Sequence, residues 1–473
     1  MSDSTSFDLA VIGAGPAGCA AAVAAAKAGA RVVLFDEQEE AGGQIYRAPR
    51  TAAGRAGVER EGEALRSSLA ASSVSARLGR RIWSVTERFR IEALGPGGPE
   101  TVRARALVAA TGAHERVVPF PGWTLPGVIG LAAATVLLKT EGRVPGRRIV
   151  VAGAGPLLAA VAAKILAVGG QVAAVVDVSR PVDWMRATPA LATKPALLAQ
   201  GAAWAARIAA ARVPVLFGHA VVSAEGEAAL ERVAVAPLSQ SGTPDLERLR
   251  WIEADIMAVG NGLVPGGEIT KLLRAEHVHV PERGGWVPKR DRWGRTTIPG
   301  LYAAGDGAGI AGAGPAARAG QLAGLAAAHD LGFLDAQALE EASVAACEEA
   351  ERDRRFSDAV SRLMMPRPDQ IAAVPADTVV CRCEDVTRAE IEGAVQAGAR
   401  TLDQVKAFTR CGMGPCQGRM CGETAGDIVA LQVGSRATVG WWTGRPPLRP
   451  VPLADLVGTF DYGDIPVPKP APL

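Results

Sequence analysis

"DLAVIGAGPAGCAAAVAAAKAGARVVLFD", residues 8–36, opens with an apolar run, turns on three glycines, passes through an alanine-rich stretch and closes on a second apolar run. That grammar is strand, glycine turn, helix, strand: one βαβ unit. Gly13 permits the tight turn, Gly15 lets backbone approach a pyrophosphate, and Gly18 lets helix and strand pack closely. The helix N-terminus then offers N–H groups and a positive dipole end to the phosphates. An acid at the end of the second strand holds the adenosine ribose; Asp36 is placed for this, with Glu37 the second choice.

The same grammar returns in "RIVVAGAGPLLAAVAAKILAVGGQVAAVVD", residues 148–177, with Gly153, Gly155 and the terminal acid Asp177. Its third glycine position holds Leu158, whose branched side chain is expected to push helix and strand apart. The occupant stays open here between NAD, another adenine nucleotide and a vestigial fold. Asp177 would repel the 2′-phosphate of NADPH.

Bulk composition removes several function classes. In 473 residues, 51 Lys and Arg almost balance 49 Asp and Glu, so no strong field recruits nucleic acid or an anionic membrane. No apolar run of about 18 residues escapes interruption, and the N-terminus lacks a basic-then-apolar export pattern, so no transmembrane segment is expected and the location is read as cytoplasmic. Thiols there stay reduced, so clustered cysteines point to metal or redox chemistry rather than structural disulfides.

Of seven cysteines, five crowd between positions 381 and 421. Cys381 and Cys383 form a C-x-C step; 27 residues later "RCGMGPCQGRMCG" brings Cys411 and Cys416, with Cys421 beyond them. Zinc usually recruits C-x-x-C knuckles or histidines, and this segment has no histidine. Four thiolates, Cys381, Cys383, Cys411 and Cys416, suit a [2Fe–2S] cluster, each iron taking two. Gly412, Gly414 and Gly418 allow backbone N–H groups to approach the sulfurs. Cys421 is then a spare thiol or a replacement for Cys411 or Cys416. Thr387 with Glu390 reads as a helix N-terminus in a helical mini-domain joining the two pairs. Cys19 and Cys347 stand apart as packing residues, "HVHV" (277–280) reads as a structural strand, and His114 alone is placed near a flavin.

"LVAATGAHE" (107–115) and "IPGLYAAGDGAG" (298–309) are strands ending in Thr-Gly and Gly-Asp-Gly. With the first glycine turn they make roughly the first 330 residues resemble a two-dinucleotide-domain flavoprotein of the glutathione reductase type. The cysteine segment resembles the bacterioferritin-associated-ferredoxin type of [2Fe–2S] domain. Together with "DEQEEAGGQIYR" (36–47) and "ATGAHERVVPFPGWTLPGV" (110–128), the whole chain resembles the alpha-type subunits of opine oxidases and dehydrogenases, D-hydroxyproline dehydrogenases and hydrogen cyanide synthase.

The resemblance implies an α/β fold with two Rossmann-like domains followed by a small helical [2Fe–2S] domain. It places FAD on Gly13, Gly15, Pro16, Ala17, Gly18, Asp36 or Glu37, Gly43, Gln44, Thr111, Gly112, Gly305 and Asp306, with Asp306 at the ribityl chain and pyrophosphate. It implies an electron-transfer component working beside a separate FAD subunit similar to D-amino-acid oxidases, with an FMN at the subunit boundary and a small third chain as further members. No catalytic residue can be assigned. The competing class is a self-contained NADH-dependent reductase of a ferredoxin-like or quinone acceptor. The expected layout is an FAD domain over 1–117 and 250–330, a second nucleotide domain over 118–249, a helical linker over 331–375, a cluster domain over 376–435 and a Pro-rich tail over 436–473.

Overall fold

The computed structural model describes residues 5–51 and 60–456. Val32–Phe35 is four buried apolar residues in a row, the pattern of a parallel strand covered on both faces. It belongs to a sheet whose spatial order is Ser75–Arg77, Val32–Phe35, Thr5–Ile12, Gly98–Ala109, Arg90–Gly95, Arg81–Thr86. Leu301–Ala303 adds in parallel to the Leu107–Ala109 end. The strand order reverses at Thr5–Ile12: the chain first winds outward on one side through Val32–Phe35 and Ser75–Arg77, then crosses to the other side with Gly98–Ala109, and Gly13 follows its end. Open α/β sheets take ligands at such a switch point.

The helix Pro16–Lys27 runs along the helix Ala313–Asp330 with almost nothing between them. A Cβ on Gly320 would lie 1.9 Å from the Ala17 carbonyl oxygen, and one on Gly324 would lie 2.2 Å from that of Ala21. Alanines at 21, 22, 25, 26, 323, 326 and 327 complete this thin core.

The second nucleotide domain has its own parallel sheet, ordered Val215–Phe217, Val172–Asp177, Ile149–Gly153, Ile256–Gly260, Val128–Gly130. Ile256–Gly260 lies inside this sheet, and Arg250–Glu253 pairs antiparallel with Arg232–Val235. The chain therefore leaves this domain after Gly260, not at 250. The all-apolar "IMAVG" run is a strand buried between two parallel neighbours, a pattern equally compatible with the first domain's sheet. Leu158 does not open a gap: it is 1% exposed and fills the core between its helix and sheet, beside Leu131, Ile149 and Val161.

The expected helical linker is the helix Ala336–Met364, capped by Asp335, whose Oδ1 accepts from the Ala338 N–H at 2.8 Å. Buried Asp353 on this helix pairs with Lys194 of the second domain and Arg318 of the first, so one carboxylate ties both to the linker. The cluster domain is a short strand pair, Val379–Cys381 with Val386–Thr387, and the helices Arg388–Gln396, Leu402–Thr409 and Gly422–Val433. It extends past 435, because Arg436–Val439 forms a further helical turn and Trp442 packs into the domain core. Residues 441–450 are irregular and lie across both halves; Leu448 N–H donates to the Trp83 carbonyl at 2.6 Å. The stretch "DIPVPKPAPL" lies outside the described residues. "HVHV" is a strand, as expected, paired with Gly285–Pro288. Among the described residues no helix is long and apolar enough to cross a membrane.

Because backbone cannot yield as a flexible side chain can, Gly320→Ala should destabilise the chain by about 2 kcal/mol and lower its flavin content. Unchanged thermal midpoint and flavin stoichiometry in that variant would show the helix crossing to be tolerant.

Candidate functional site

Three motif segments meet at the end of Thr5–Ile12. Gly13 has φ +107°, and a Cβ there would lie 2.2 Å from the Ala110 carbonyl oxygen, so the turn is pressed onto the strand that leads into Thr111 and Gly112. A Cβ on Gly18 would sit 1.7 Å from the Gly13 carbonyl oxygen. Gly15 faces open space with Gly43 as its nearest neighbour, and at φ +60° a Cβ on Gly43 would reach 2.9 Å from the Gly15 Cα. The two bare backbones form a cradle that any side chain at 43 would obstruct. Pro16 begins the helix, where its missing N–H is harmless. Ala17 touches the Gly305 turn, and Gly307 lies against the Thr111 hydroxyl, which donates to the Gly266 carbonyl.

The two acids of the site have distinct partners. Asp36 accepts from the Ala14 N–H at 2.6 Å through Oδ2 and from the Gln38 N–H at 2.8 Å through Oδ1, so it braces the glycine turn as well as closing the strand. Asp306 accepts from the Ala311 and Gly312 N–H groups at 2.9 and 3.0 Å, both through Oδ1. Burial raises both carboxyls above the usual range, and the backbone N–H groups work against that rise. Oδ2 of Asp306 takes no hydrogen bond from the described residues and is free to accept a ribityl hydroxyl. Glu37 and Gln44 are exposed, and Gln44 accepts from Arg47 at 2.8 Å. The open cradle and the free carboxylate oxygen fit a dinucleotide.

The second glycine turn has the same backbone but no such space. A Cβ on Gly155 would lie 2.4 Å from Cγ of Met364, at the end of the linker helix, and one on Gly262 would lie 3.1 Å from the Met364 Cβ. Asp177 is 4% exposed and its carboxylate is spent: Oδ1 accepts from the Ser179 N–H and hydroxyl at 2.9 and 2.6 Å, Oδ2 from Trp184 Nε1 at 3.3 Å. Where the first turn offers a pyrophosphate cradle, this one holds a thioether; where the first offers a ribose acid, this one has an indole-capped carboxylate. Neither Met364 nor Trp184 carries a motif that would announce this, because each fills the site from a separate helix.

All five clustered cysteines converge. Cys381 ends a strand, the Thr387–Glu390 capping box starts the next helix as expected, and Arg410 in the left-handed region ends the helix that delivers Cys411. The sulfurs of Cys381, Cys411 and Cys421 all lie within 4.8 Å of one another, all buried. Cys383 and Cys416, both half-buried, meet thiol to thiol, and the Cys416 N–H donates to Cys383. Thiols of Cys411 and then Cys421 donate to Cys381; with N–H groups of Gly412 and Glu384 added, its thiolate is favoured down to about 2. Cys421 sits at the N-terminus of Gly422–Val433, where the helix dipole favours a thiolate, while its hydrogen bonds to Cys381 and Cys411 and its burial hold the proton on its sulfur. Trp442 lies flat on the loop: Cβ atoms on Gly412, Gly418 and Gly422 would come within 2.2–2.9 Å of its ring, and its Nε1 donates to the Leu402 carbonyl at 2.9 Å. A thiolate set with backbone donors under an aromatic cover fits an iron–sulfur cluster.

The isolated cysteines and histidines have plainer surroundings. Cys19 is buried, its thiol pushed up to about 12 by burial, and Cys347 is half-buried on the linker helix. His277 is held by the Ala275 carbonyl and the Thr270 hydroxyl. His114 lines a cavity between the first domain and the cluster domain.

Comparison with known proteins matches this division. The pyridine nucleotide-disulphide oxidoreductase family matches residues 7–332, and the BFD-like [2Fe-2S] binding domain matches residues 379–430. The HcnB subunit of hydrogen cyanide synthase from Pseudomonas aeruginosa is 35% identical over 468 residues, covering 94% of this chain and 97% of its own. The opine oxidase A-subunit of Agrobacterium tumefaciens is 34% identical over 468 residues, covering 95% of this chain and 91% of its own. The crystal structure of L-proline dehydrogenase from P. horikoshii superposes with a TM-score of 0.70 at 19% identity, over 96% of this chain and 80% of that one, a likeness of fold. The two family matches imply that the chain binds FAD and a [2Fe–2S] cluster, and the fold presents a cysteine group within the cluster-domain match.

With Met364 and Trp184 in the second turn, millimolar NADH or NADPH should leave the oxidised flavin spectrum of the purified chain unchanged over minutes. Bleaching within seconds would demonstrate a working dinucleotide site.

Proposed function

Because the chain belongs to the pyridine nucleotide-disulphide oxidoreductase family, in the group of the HcnB subunit of hydrogen cyanide synthase and the opine oxidase A-subunit, we propose that it is the electron-transfer component of a heteromeric flavin-dependent dehydrogenase or oxidase. The observation that carries this reading is the presence, on one chain similar end to end to named subunits, of both an FAD cradle and a thiolate cluster site. The substrate class is a secondary amine, opine, imino acid or amino acid, oxidised on a separate FAD subunit resembling D-amino-acid oxidases. An FMN at the subunit boundary and a small third subunit complete the proposed assembly, a cytoplasmic one.

The chemistry supports the division of labour. A flavin takes two electrons and passes them on singly, whereas a [2Fe–2S] cluster carries one, so the pair converts a two-electron oxidation into single-electron steps. The chain's own residues hold these groups: Asp306 and the Gly13–Gly18 turn at the flavin, the cysteines and Trp442 at the cluster. The competing NADH-dependent reductase would need to seat its dinucleotide where Met364 and Trp184 lie.

For the cluster we propose Cys381, Cys383 and Cys416 as three ligands. Cys411 and Cys421 both lie in reach of the fourth place, and the helix N-terminus favours Cys421 over the Cys411 expected from spacing. Cys421→Ser should therefore abolish the rhombic spin-half signal of the dithionite-reduced protein, and Cys411→Ser should keep it. The opposite pair of results would return Cys411 to the ligand set; one zinc with no iron would reject the cluster.

The heteromeric reading is tested by purification from the native host, with mass spectrometry of co-purifying chains and anaerobic titration by opines, secondary amines and D-imino acids. The isolated chain's flavin should stay oxidised, and the complex's should be reduced. Rapid reduction of the isolated chain by one such substrate would overturn it.

A further inference from the structure

A cavity of about 500 Å³ lies where the cluster domain meets the FAD domain. The FAD domain contributes His114, Gly267 and Lys271 to its lining, and the cysteine loop contributes Gly412 and Gly418 together with Trp442, which lies on them; Trp441 lines it as well. Two ion pairs stand in the lining, Arg419 with Glu268 at 2.5 Å and Arg436 with Glu423 at 3.1 Å, so four of its charges cancel.

Lys271 is left over. It is half-buried, its Nζ lies 5.5 Å from the Trp441 ring centroid, and no carboxylate of the described residues comes within 4.0 Å of it. Its neighbour His114 makes no ring hydrogen bond with the described residues, and Lys406 and Arg445 at the rim have no acidic partner among them. A half-buried ammonium without a counter-charge is costly to keep, and burial eases its proton off, with Glu423 and Glu268 opposing. The cavity thus combines an excess of positive charge, a free imidazole and glycine backbone with room for a bicyclic body.

We propose that this cavity binds a small organic anion, its phosphate or carboxylate group set against Lys271 and its apolar body in the space between the FAD domain and the cysteine loop. Such binding depends neither on which substrate is oxidised nor on the partner chain. Since the ligand touches both halves of the chain, its binding also holds the two cofactor domains together, by linkage.

The test uses the full chain carrying FAD and cluster, titrated calorimetrically with 1-naphthyl phosphate, 1-naphthoate and neutral 1-naphthol. The two anions should bind once per chain and naphthol at least about tenfold more weakly, as expected for loss of one charge-assisted contact. The tighter anion identifies the head group. Lys271→Gln should weaken both anions by about tenfold or more, and Lys271→Arg should restore much of the affinity, with flavin and cluster absorbance unchanged in each. In the wild-type chain either anion should protect Lys271 from reductive methylation, read by peptide mass spectrometry, which holds whether or not the variants fold. Equal affinity for naphthol, unchanged affinity in Lys271→Gln, no anion binding, or no protection of Lys271 would overturn the proposal.

Discussion

The arrangement rests on a crossing of two helices from which side chains have been removed. Gly320 and Gly324 let the backbone of Ala313–Asp330 lie directly on Ala17 and Ala21 of Pro16–Lys27. The first helix begins at the glycine turn and the second follows the Gly305–Ala308 turn, so the closeness of the crossing sets how far Asp306 stands from Gly13 and Gly15. The far end of the second helix is pinned by Asp330, which accepts two hydrogen bonds from Arg295 at 2.6 and 2.7 Å and one from Tyr302 at 2.5 Å. A contact of small residues at one end and an ion pair at the other thus hold two halves of one cofactor cradle in register across almost three hundred residues of intervening chain.

The cluster domain is attached through the segment that follows the Thr111–Gly112 turn. Arg116 reaches Glu423 at 3.7 Å and Asp427 at 3.9 Å, and Arg436 holds the same two acids at 3.1 and 3.0 Å. Burial alone would raise Glu423, but Arg436 and then Arg116 hold its carboxyl down to about 2, so Glu423 stays charged throughout the physiological range, whereas burial raises Asp427 against the same two arginines. Trp123 Nε1 donates to the Val379 carbonyl at 2.7 Å, two residues before Cys381, and the Thr424 hydroxyl donates to the Val117 carbonyl. A displacement of the flavin-side turn would therefore be felt at both ends of the cysteine group. Fixed separation is what single-electron transfer between two resident groups requires, and residues 111–123 contribute to it directly, beside the Arg419–Glu268 pair.

Local chemistry makes much of this legible from sequence. Glycine spacing, terminal acids and the capping pair Thr387–Glu390 act within a few residues of themselves, and they lie where spacing puts them. Long-range events are not legible. "IMAVG" reads as a strand but does not say which sheet it joins, and the domain boundary falls past Gly260 for that reason. Leu158 looks obstructive only because the companion residues Leu131 and Ile149, which accommodate it, are remote in sequence. Met364 and Trp184 give no signal at all, since filling a site demands only the right volume at the right place. Cys421 is visible in sequence as a fifth thiol, but spacing alone does not say that the fold brings its sulfur within 4.8 Å of those of Cys381 and Cys411.

The second nucleotide unit keeps its strand, turn, helix and acid although Met364 sits on its glycines, and what it does instead can be read from its neighbours. Arg367, just after the linker helix, pairs with Asp183 at 2.6 Å and donates to the Gln240 carbonyl at 2.8 Å; the Thr243 hydroxyl donates to Asp369 at 3.0 Å; Lys194 pairs with Asp353. The concavity that would receive a dinucleotide receives the chain's own linker, and the linker leads directly to Cys381. Met364 thus stands where a dinucleotide would lie against Gly155, and the neighbouring linker contacts help to anchor the cluster domain. A unit used in this way stays closely packed without retaining nucleotide chemistry, and on the reading proposed here electrons reach the FAD from a partner rather than from a nicotinamide bound at Gly153 and Gly155.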